Sequence, residues 1–347
     1  MTLPQYLDTL GMWEATAALP EQINAALDAS AGGLESLRIR DPGSVRAVAV
    51  LGMGASGQAG DVVAAVAGAH SPVPIWVGKS YDLPAFIGPH TLAFAVSHSG
   101  ETEETRTAAA TALERGAQVI VICSGGSLAE LAATAGLPLF SIPPGLPTSR
   151  TALGATTVPV LMTLSSLGLL PDVTASLASA AEMLCRRRDA HLGMGSPADE
   201  VARRIGRTIP LIYGSTGVSA VAAHRWKTQV NENAKTPAFF AVQPDLSHNE
   251  VAGWGQHGDI TRQVLSLVTL RHVTEHPHTA RRFELVTQAT DEVMAEIIEV
   301  WAEGDDALSR FFDLALFGDF VSLFMAGRES IDPGPVPAVG AVEAGLR

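Results

Sequence analysis

The stretch "VLGMGASGQAGD", Val50 to Asp61, reads as the end of a strand, a set of glycines and the start of a helix. Gly52, Gly54 and Gly57 give the spacing G-x-G-x-x-G, which lets backbone turn tightly and approach a phosphate held on the amides of a helix N-terminus. A dinucleotide site would add an acidic residue ~20 positions past the glycines to hold a ribose. Only Asp82 qualifies, at the end of "GAHSPVPIWVGKSYD", and it comes late. The turn therefore implies close approach to a phosphate without the rest of a nicotinamide or flavin site.

Outward from this turn, short apolar runs alternate with longer helical patterns. Candidate strands are Val45–Leu51, Pro74–Gly78, Thr91–Ser97, Gln118–Ser124 and Leu137–Ile142. A helix is expected from Thr102 to Gly116, where glycine suits the left-handed end. Strands apolar on both faces, spaced by roughly 20–25 residues, indicate a parallel sheet covered by helices on both sides. Residues 151–191 read as one or two apolar helices, and "GMGSPADE" (Gly193–Glu200) as a turn cluster. The design then restarts in "RTIPLIYGSTGVSAVAAHRW", with a strand, a glycine turn and a helix. "PAFFAVQ" and "RQVLSLVTLR" add strands, whereas "ATDEVMAEIIEVWAEG" (289–304) and "ALSRFFDLALFGDFVSLFMAGR" (307–328) have helical apolar spacing. The expected fold is α/β, with two doubly wound parallel-sheet domains, α/β/α sandwiches, in tandem. Their expected limits are 1–155 and 196–347, with linking helices over 156–195 and a Pro- and Gly-rich tail.

Composition narrows the function. The 347 residues carry a formal net charge of −13, and the densest basic run is "CRRRD" at Cys185–Asp189, so no basic face for nucleic acid is expected. No apolar stretch approaches the ~20 residues of a bilayer span, and the N-terminus lacks a basic segment followed by an apolar one. No membrane partner and a cytoplasmic location are the resulting expectations. Two cysteines make neither a zinc ribbon nor a disulfide framework, and Cys123, in "QVIVIC", reads as a buried strand thiol.

Chemistry concentrates further along. In "AVSHSGETEET" (Ala95–Thr105), Ser97, Ser99 and Thr102 flank Gly100 where a strand turns into a helix. Three hydroxyls and several unpaired amides at one positively polarised end suit a phosphate monoester, although helix capping alone would also favour them. Glu232 lies between Asn231 and Asn233, and His248 and Glu250 follow in "DLSHNEVAGW". Such carboxylate and imidazole groups suit general acid–base work on a sugar. "RHVTEHPH" has metal-ligand spacing at His272, His276 and His278, but Pro277 argues for a loop, and no metal or cofactor is expected.

"GMGASG", "YDLPAFIGPHTLAFAVSHSGETEET", "PTSRTALG", "RWKTQVNENAKTPAF" and "SHNEVAGW", in this order, resemble the bifunctional phosphoglucose/phosphomannose isomerases of the sugar isomerase (SIS) fold. "FGDFVSL" and "GRESIDPGPV" extend the likeness. The resemblance implies an aldose–ketose isomerase that needs no metal, interconverting glucose or mannose 6-phosphate with fructose 6-phosphate. It assigns Gly54, Ser56, Ser97, Ser99 and Thr102 to the sugar phosphate. Arg150 would steady the charge developing on the sugar oxygens, and Glu232 would move a proton between carbons 1 and 2. His248 would assist ring opening from the neighbouring subunit of a homodimer with shared active sites. Three departures stand beside the likeness: the family's tail lysine has no counterpart after Lys235, Gly334 stands where a hydroxyl residue is usual, and Glu101 replaces the asparagine of "SGNT". They fit retuned activity, substitution by an arginine such as Arg347, or a catalytically degenerate SIS protein that binds sugar phosphate as a regulator.

Overall fold

The structure, a computed structural model, describes residues 4–346; Arg347 lies outside them. The chain divides into two units. One comprises Ala18–Met183 with Asp306–Ser309, and the other comprises residues up to Ala17, Leu184–Asp305 and those from Arg310 onward. Thus the short helix α1 (Met12–Ala17) belongs to the second unit although it comes first in the chain, and α2 (Leu19–Ser36) opens the first unit.

In the first unit β1 (Ala47–Leu51), β2 (Ile75–Gly78), β3 (Thr91–Ser97), β4 (Gln118–Cys123) and β5 (Leu139–Ser141) form a parallel sheet in the order β2-β1-β3-β4-β5. Strand residues alternate between two buried faces. Ala49, Leu51, Ala93, Ala95 and Val121 meet Ala108, Ala112, Leu128 and Ala132, which lie on α4 (Glu103–Glu114) and α5 (Gly126–Ala135). On the other face α3 (Gly54–Ala67) lies so close that a Cβ on Gly60 would fall 2.9 Å from Val50 Cβ. A Cβ on Gly57 would fall 2.4 Å from the Gly52 carbonyl oxygen. The glycine spacing thus permits tight strand–helix packing, with Gly54 at φ 50° in the turn itself. Behind α3, α6 (Leu153–Ser166) packs on α2, and the chain passes into α7 (Thr174–His191).

The second unit contains α8 (Pro197–Ile205) and a parallel sheet of β6 (Ile209–Ser215), β7 (Phe239–Gln243), β8 (Leu265–Arg271) and β9 (Glu296–Trp301), ordered β7-β6-β8-β9. After β6 comes α9 (Val218–Asn233), and before β8 comes α10 (Gly258–Val264). Leu211, Tyr213 and Leu267 pack with Phe283 and Val286 of α11 (Pro277–Thr290). α9 runs along β6, β7 and β8, and α12 (Ala307–Arg328) lies against it, followed by the exposed α13 (Pro337–Gly345). The two parallel sheets are those of the expected α/β fold.

Three local expectations are corrected. Residues 289–304 are not a helix: α11 ends at Thr290, and Ile297, Ile298 and Val300 pair with β8 as an edge strand. Their spacing fits either period, and β-branched residues packed on a neighbouring strand settle it. The cluster Gly193–Glu200 is a turn only to Ser196, whose hydroxyl accepts the Asp199 N–H (3.3 Å) and starts α8 at Pro197. Pro277 likewise begins a helix, and His276 Nδ1 caps it by accepting the His278 N–H (3.1 Å). Among the described residues no group of three or more His, Cys, Asp or Glu is poised to hold a metal. Nor is any described helix long and apolar enough to cross a membrane.

Candidate active site

At the carboxyl end of β3 the chain must reverse into α4 within a few residues. Gly100 makes this possible at φ 75°; a Cβ there would lie 1.8 Å from the Gly125 carbonyl oxygen. Its N–H donates to Ser97 Oγ (3.1 Å), and Ser97 Oγ lies 2.9 Å from Thr102 Oγ1. Thr102 is the N-cap of α4, yet its hydroxyl makes no capping bond to the helix amides. Capping therefore does not account for it: Thr102 Oγ1 turns toward Ser97.

Ser56, in the first turn of α3, joins this group by accepting the His98 N–H at 3.2 Å. Of the expected phosphate ligands, the Ser97 and Thr102 hydroxyls meet each other, and Ser56 is bonded to the backbone of the next residue, His98. Ser56 and Ser97 are buried and Thr102 is half-buried. Ser99 is exposed, and its hydroxyl accepts the Glu101 N–H (3.1 Å). Gly54 lies exposed at the first position of α3. Glu101, which departs from the motif, has a structural partner: its carboxylate caps α5, accepting from Ser127 N (2.8 Å) and Ser127 Oγ (2.7 Å). The extra negative charge is thus directed at a helix N-terminus, where it is favoured. His98 also escaped the sequence reading. Burial lowers its pKa below the ordinary histidine range, against a raising bond with the Leu146 backbone, so the ring is neutral near pH 7.

Arg150 is almost fully buried, 3% exposed, in the single turn Ser149–Thr151. That turn is locked by reciprocal Thr148 and Thr151 bonds and by Gln22 Nε2, which donates to the Thr151 carbonyl (2.8 Å). It packs against α3, the helix that carries Gly54 and Ser56. Lys79, at the end of β2, pairs with Asp61 of α3, and its stem passes 3.0 Å from where a Gly57 Cβ would be.

Glu232 and His248 belong to the second unit. Glu232 is half-buried on the last turn of α9. One face of that helix is tied to α12 by a buried polar ladder: Arg225 grips Asp319 with two bonds (3.0 and 2.7 Å), Gln229 adds a third (2.7 Å), and Asn233 Nδ2 donates to Ser322 Oγ (2.9 Å). These residues recur every four positions, so the ladder fixes the rotation of α9 and with it the direction of Glu232. His248 is exposed at the end of the turn Asp245–His248. Ser247 Oγ, donating to Gln243 Oε1 (2.7 Å), anchors one side of that loop. Tyr213 anchors the other, its hydroxyl donating to Glu250 and accepting from Trp254 Nε1 (3.3 Å). Burial, with the Glu250 carboxylate, pushes the Tyr213 phenol far above its ordinary range.

Residues 44–141 match the model of the SIS domain, and residues 195–344 match that of the bacterial phospho-glucose isomerase C-terminal SIS domain. The chain is 32% identical over 332 residues to a bifunctional phosphoglucose/phosphomannose isomerase of Caldicellulosiruptor bescii, covering 94% of this chain and 96% of that one. It is 33% identical to the protein of the same name from Thermoplasma acidophilum, over 87% of this chain and 92% of that one. Among solved structures, tagatose-6-phosphate ketose/aldose isomerase from Escherichia coli shares the fold with a TM-score of 0.69 at 16% identity, covering 96% of this chain and 98% of that one. On the extent and level of this identity, the chain belongs to the family of bifunctional phosphoglucose/phosphomannose isomerases.

Proposed function

We propose that this enzyme interconverts glucose 6-phosphate or mannose 6-phosphate with fructose 6-phosphate through an enediolate, with no metal in the chemistry. Family membership supports the reaction class. The observation that carries the site is the pair of Ser97 and Thr102 hydroxyls at the start of α4, with Ser56 on the adjacent His98 N–H and no capping bond from Thr102. A phosphate monoester needs several donors converging on one end, and this one carries helix-dipole charge of the right sign. Ser99 and the Gly54 backbone complete the phosphate ligands in this reading.

Isomerisation moves one proton between adjacent carbons. Glu232 takes the proton from carbon 2 of the open-chain aldose, and the electron pair left behind makes the enediolate. Arg150 steadies the negative oxygen; such preorganised charge is usually the largest catalytic contribution. Glu232 then returns the proton to carbon 1 while the hydroxyl proton passes from oxygen 2 to oxygen 1, giving the ketose with no net gain or loss of protons or electrons. Glucose and mannose 6-phosphates differ only at carbon 2 and so converge on the same enediolate. His248, supplied by the partner subunit of a homodimer, serves ring opening by proton transfer at the ring oxygen.

The test is a coupled assay with chelator present, run separately for each aldose. Turnover is expected in both, and Glu232→Gln should lower kcat by about 10²–10⁴ while fructose 6-phosphate still binds in calorimetry. A wild-type protein that binds fructose 6-phosphate without converting it refutes the isomerase and leaves the regulatory reading, which the missing tail lysine motivates. Wild-type turnover in Glu232→Gln would move the base elsewhere.

A further inference from the structure

The end of α9 departs from the usual pattern. Ala234 closes the helix, and Lys235 follows at φ 54°, the left-handed conformation that glycine ordinarily supplies at this position. A side chain there carries a steric cost that glycine would avoid, and such positions persist where surrounding structure holds them and cluster at functional sites. The helix end is closed by Thr236, whose N–H donates to the Val230 carbonyl (3.4 Å) and whose carbonyl accepts from Asn231 Nδ2 (2.9 Å), and the Lys235 ammonium ties it to a distant segment. Lys235 Nζ donates to the backbone carbonyl of Glu232 and to that of Pro333, 3.1 Å away and 98 residues further along the chain.

The Pro333 segment is itself pinned. The Asp332 carboxylate accepts from Thr9 Oγ1 (2.5 Å), Thr9 N (3.3 Å) and Gly334 N (3.1 Å). Gly334 sits where a Cβ would fall 2.7 Å from Leu10 Cγ, so the segment rests directly on the N-terminal residues of the same unit. Burial raises the Asp332 pKa, but the Thr9 and Gly334 bonds and the positive charge of Lys235 outweigh it and hold the carboxyl below its ordinary range. Lys235 therefore spans from a helix end to an anchored strap.

We propose that Lys235 is a positioning residue for the reaction, its ammonium clamping the last turn of α9 to the Asp332–Gly334 strap so that the Glu232 carboxylate keeps one orientation. The inference rests on Glu232 being the base. Helix ends fray, and Glu232 is one residue short of the last helical position. The ladder to α12 reaches Asn233, the Thr236 bonds stay within the helix end itself, and the Lys235 ammonium reaches across to the Asp332–Gly334 strap. A misplacement of about 1 Å costs on the order of 10² in rate, so a clamp at Lys235 has a purpose that glycine, though less strained, does not serve.

Three variants separate this role from a structural one. Lys235→Gly relieves the left-handed backbone and removes the ammonium, Lys235→Met keeps the stem without the charge, and Lys235→Arg retains donors for both carbonyls. The expected result is a kcat lower by tenfold or more in the glycine and methionine variants, with KM for fructose 6-phosphate within threefold of wild type. The glycine variant should melt at or above the wild-type temperature, and arginine should recover most of the lost kcat. A fall of less than fivefold in the first two variants overturns the proposal, as does a loss carried by KM, a loss that tracks melting temperature, or one that arginine does not rescue. Glu232→Gln, run in parallel, shows whether the base assignment itself has failed: wild-type turnover in that variant removes both.

Discussion

Thr102 occupies a helix N-cap, and its hydroxyl faces Ser97 instead of the helix amides. If that arrangement serves a phosphate, each hydroxyl makes a bond to a charged acceptor, worth about 1.5–3 kcal/mol. Ser97→Ala and Thr102→Val should therefore each raise KM for the hexose 6-phosphates by about 10- to 100-fold with kcat little changed, as measured by initial rates. A change confined to kcat would place these hydroxyls nearer the reacting carbons. The Ser97–Thr102 pair was legible in the sequence because the two lie five residues apart around a single glycine turn. Glu101 and Lys235 were not, since the first is explained by Ser127 and the second by Pro333, partners that only the folded chain brings within reach.

At the scale of elements, the joint between α9 and α12 controls where Glu232 points. Arg225 and Asp319 are both buried, and the Asp319 carboxylate also accepts from Gln229. Removing one partner strands a buried charge, which costs about 3–5 kcal/mol. Asp319→Ala should lower the urea midpoint accordingly, whereas Asp319→Asn, which keeps an acceptor, should lose less. The apolar spacing of residues 307–328 marks α12 and the glycine turn after Ser215 marks the start of α9, but neither marks this ladder. Period alone also misassigned residues 289–304, because a short apolar run on a sheet edge reads the same in either period until the neighbouring strand is known.

Across the whole molecule, acid sensitivity has an identifiable source in His191. It is buried against Phe317, and among the described residues neither ring nitrogen has a hydrogen-bond partner. Burial, with a smaller contribution from the Arg187 charge, lowers its pKa to about 3. The folded ring stays neutral while the unfolded one takes up a proton below its ordinary value near 6.5. The unfolded state then binds more protons, so this contribution is fully present above pH 6.5 and is lost as pH falls toward 3. Chemical unfolding at pH 7 and pH 5 should show the wild type losing about 1–2 kcal/mol relative to His191→Leu over that interval. An equal pH response in both proteins would place the acid sensitivity in other groups.

The sequence by itself determined the parallel strands of the first unit, the glycine turn from Val50 to Asp61 and the nearness of Ser97 to Thr102 around Gly100, because each depends on residues close in the chain. It also determined the family, through blocks ordered along most of its length. Only the tertiary structure decided that residues 289–304 supply a strand, that α9 is locked by α12, and that Lys235 reaches Pro333. These outcomes depend on contacts between residues far apart in sequence, whose packing and hydrogen bonds outweigh local propensities of a few tenths of a kcal/mol per residue.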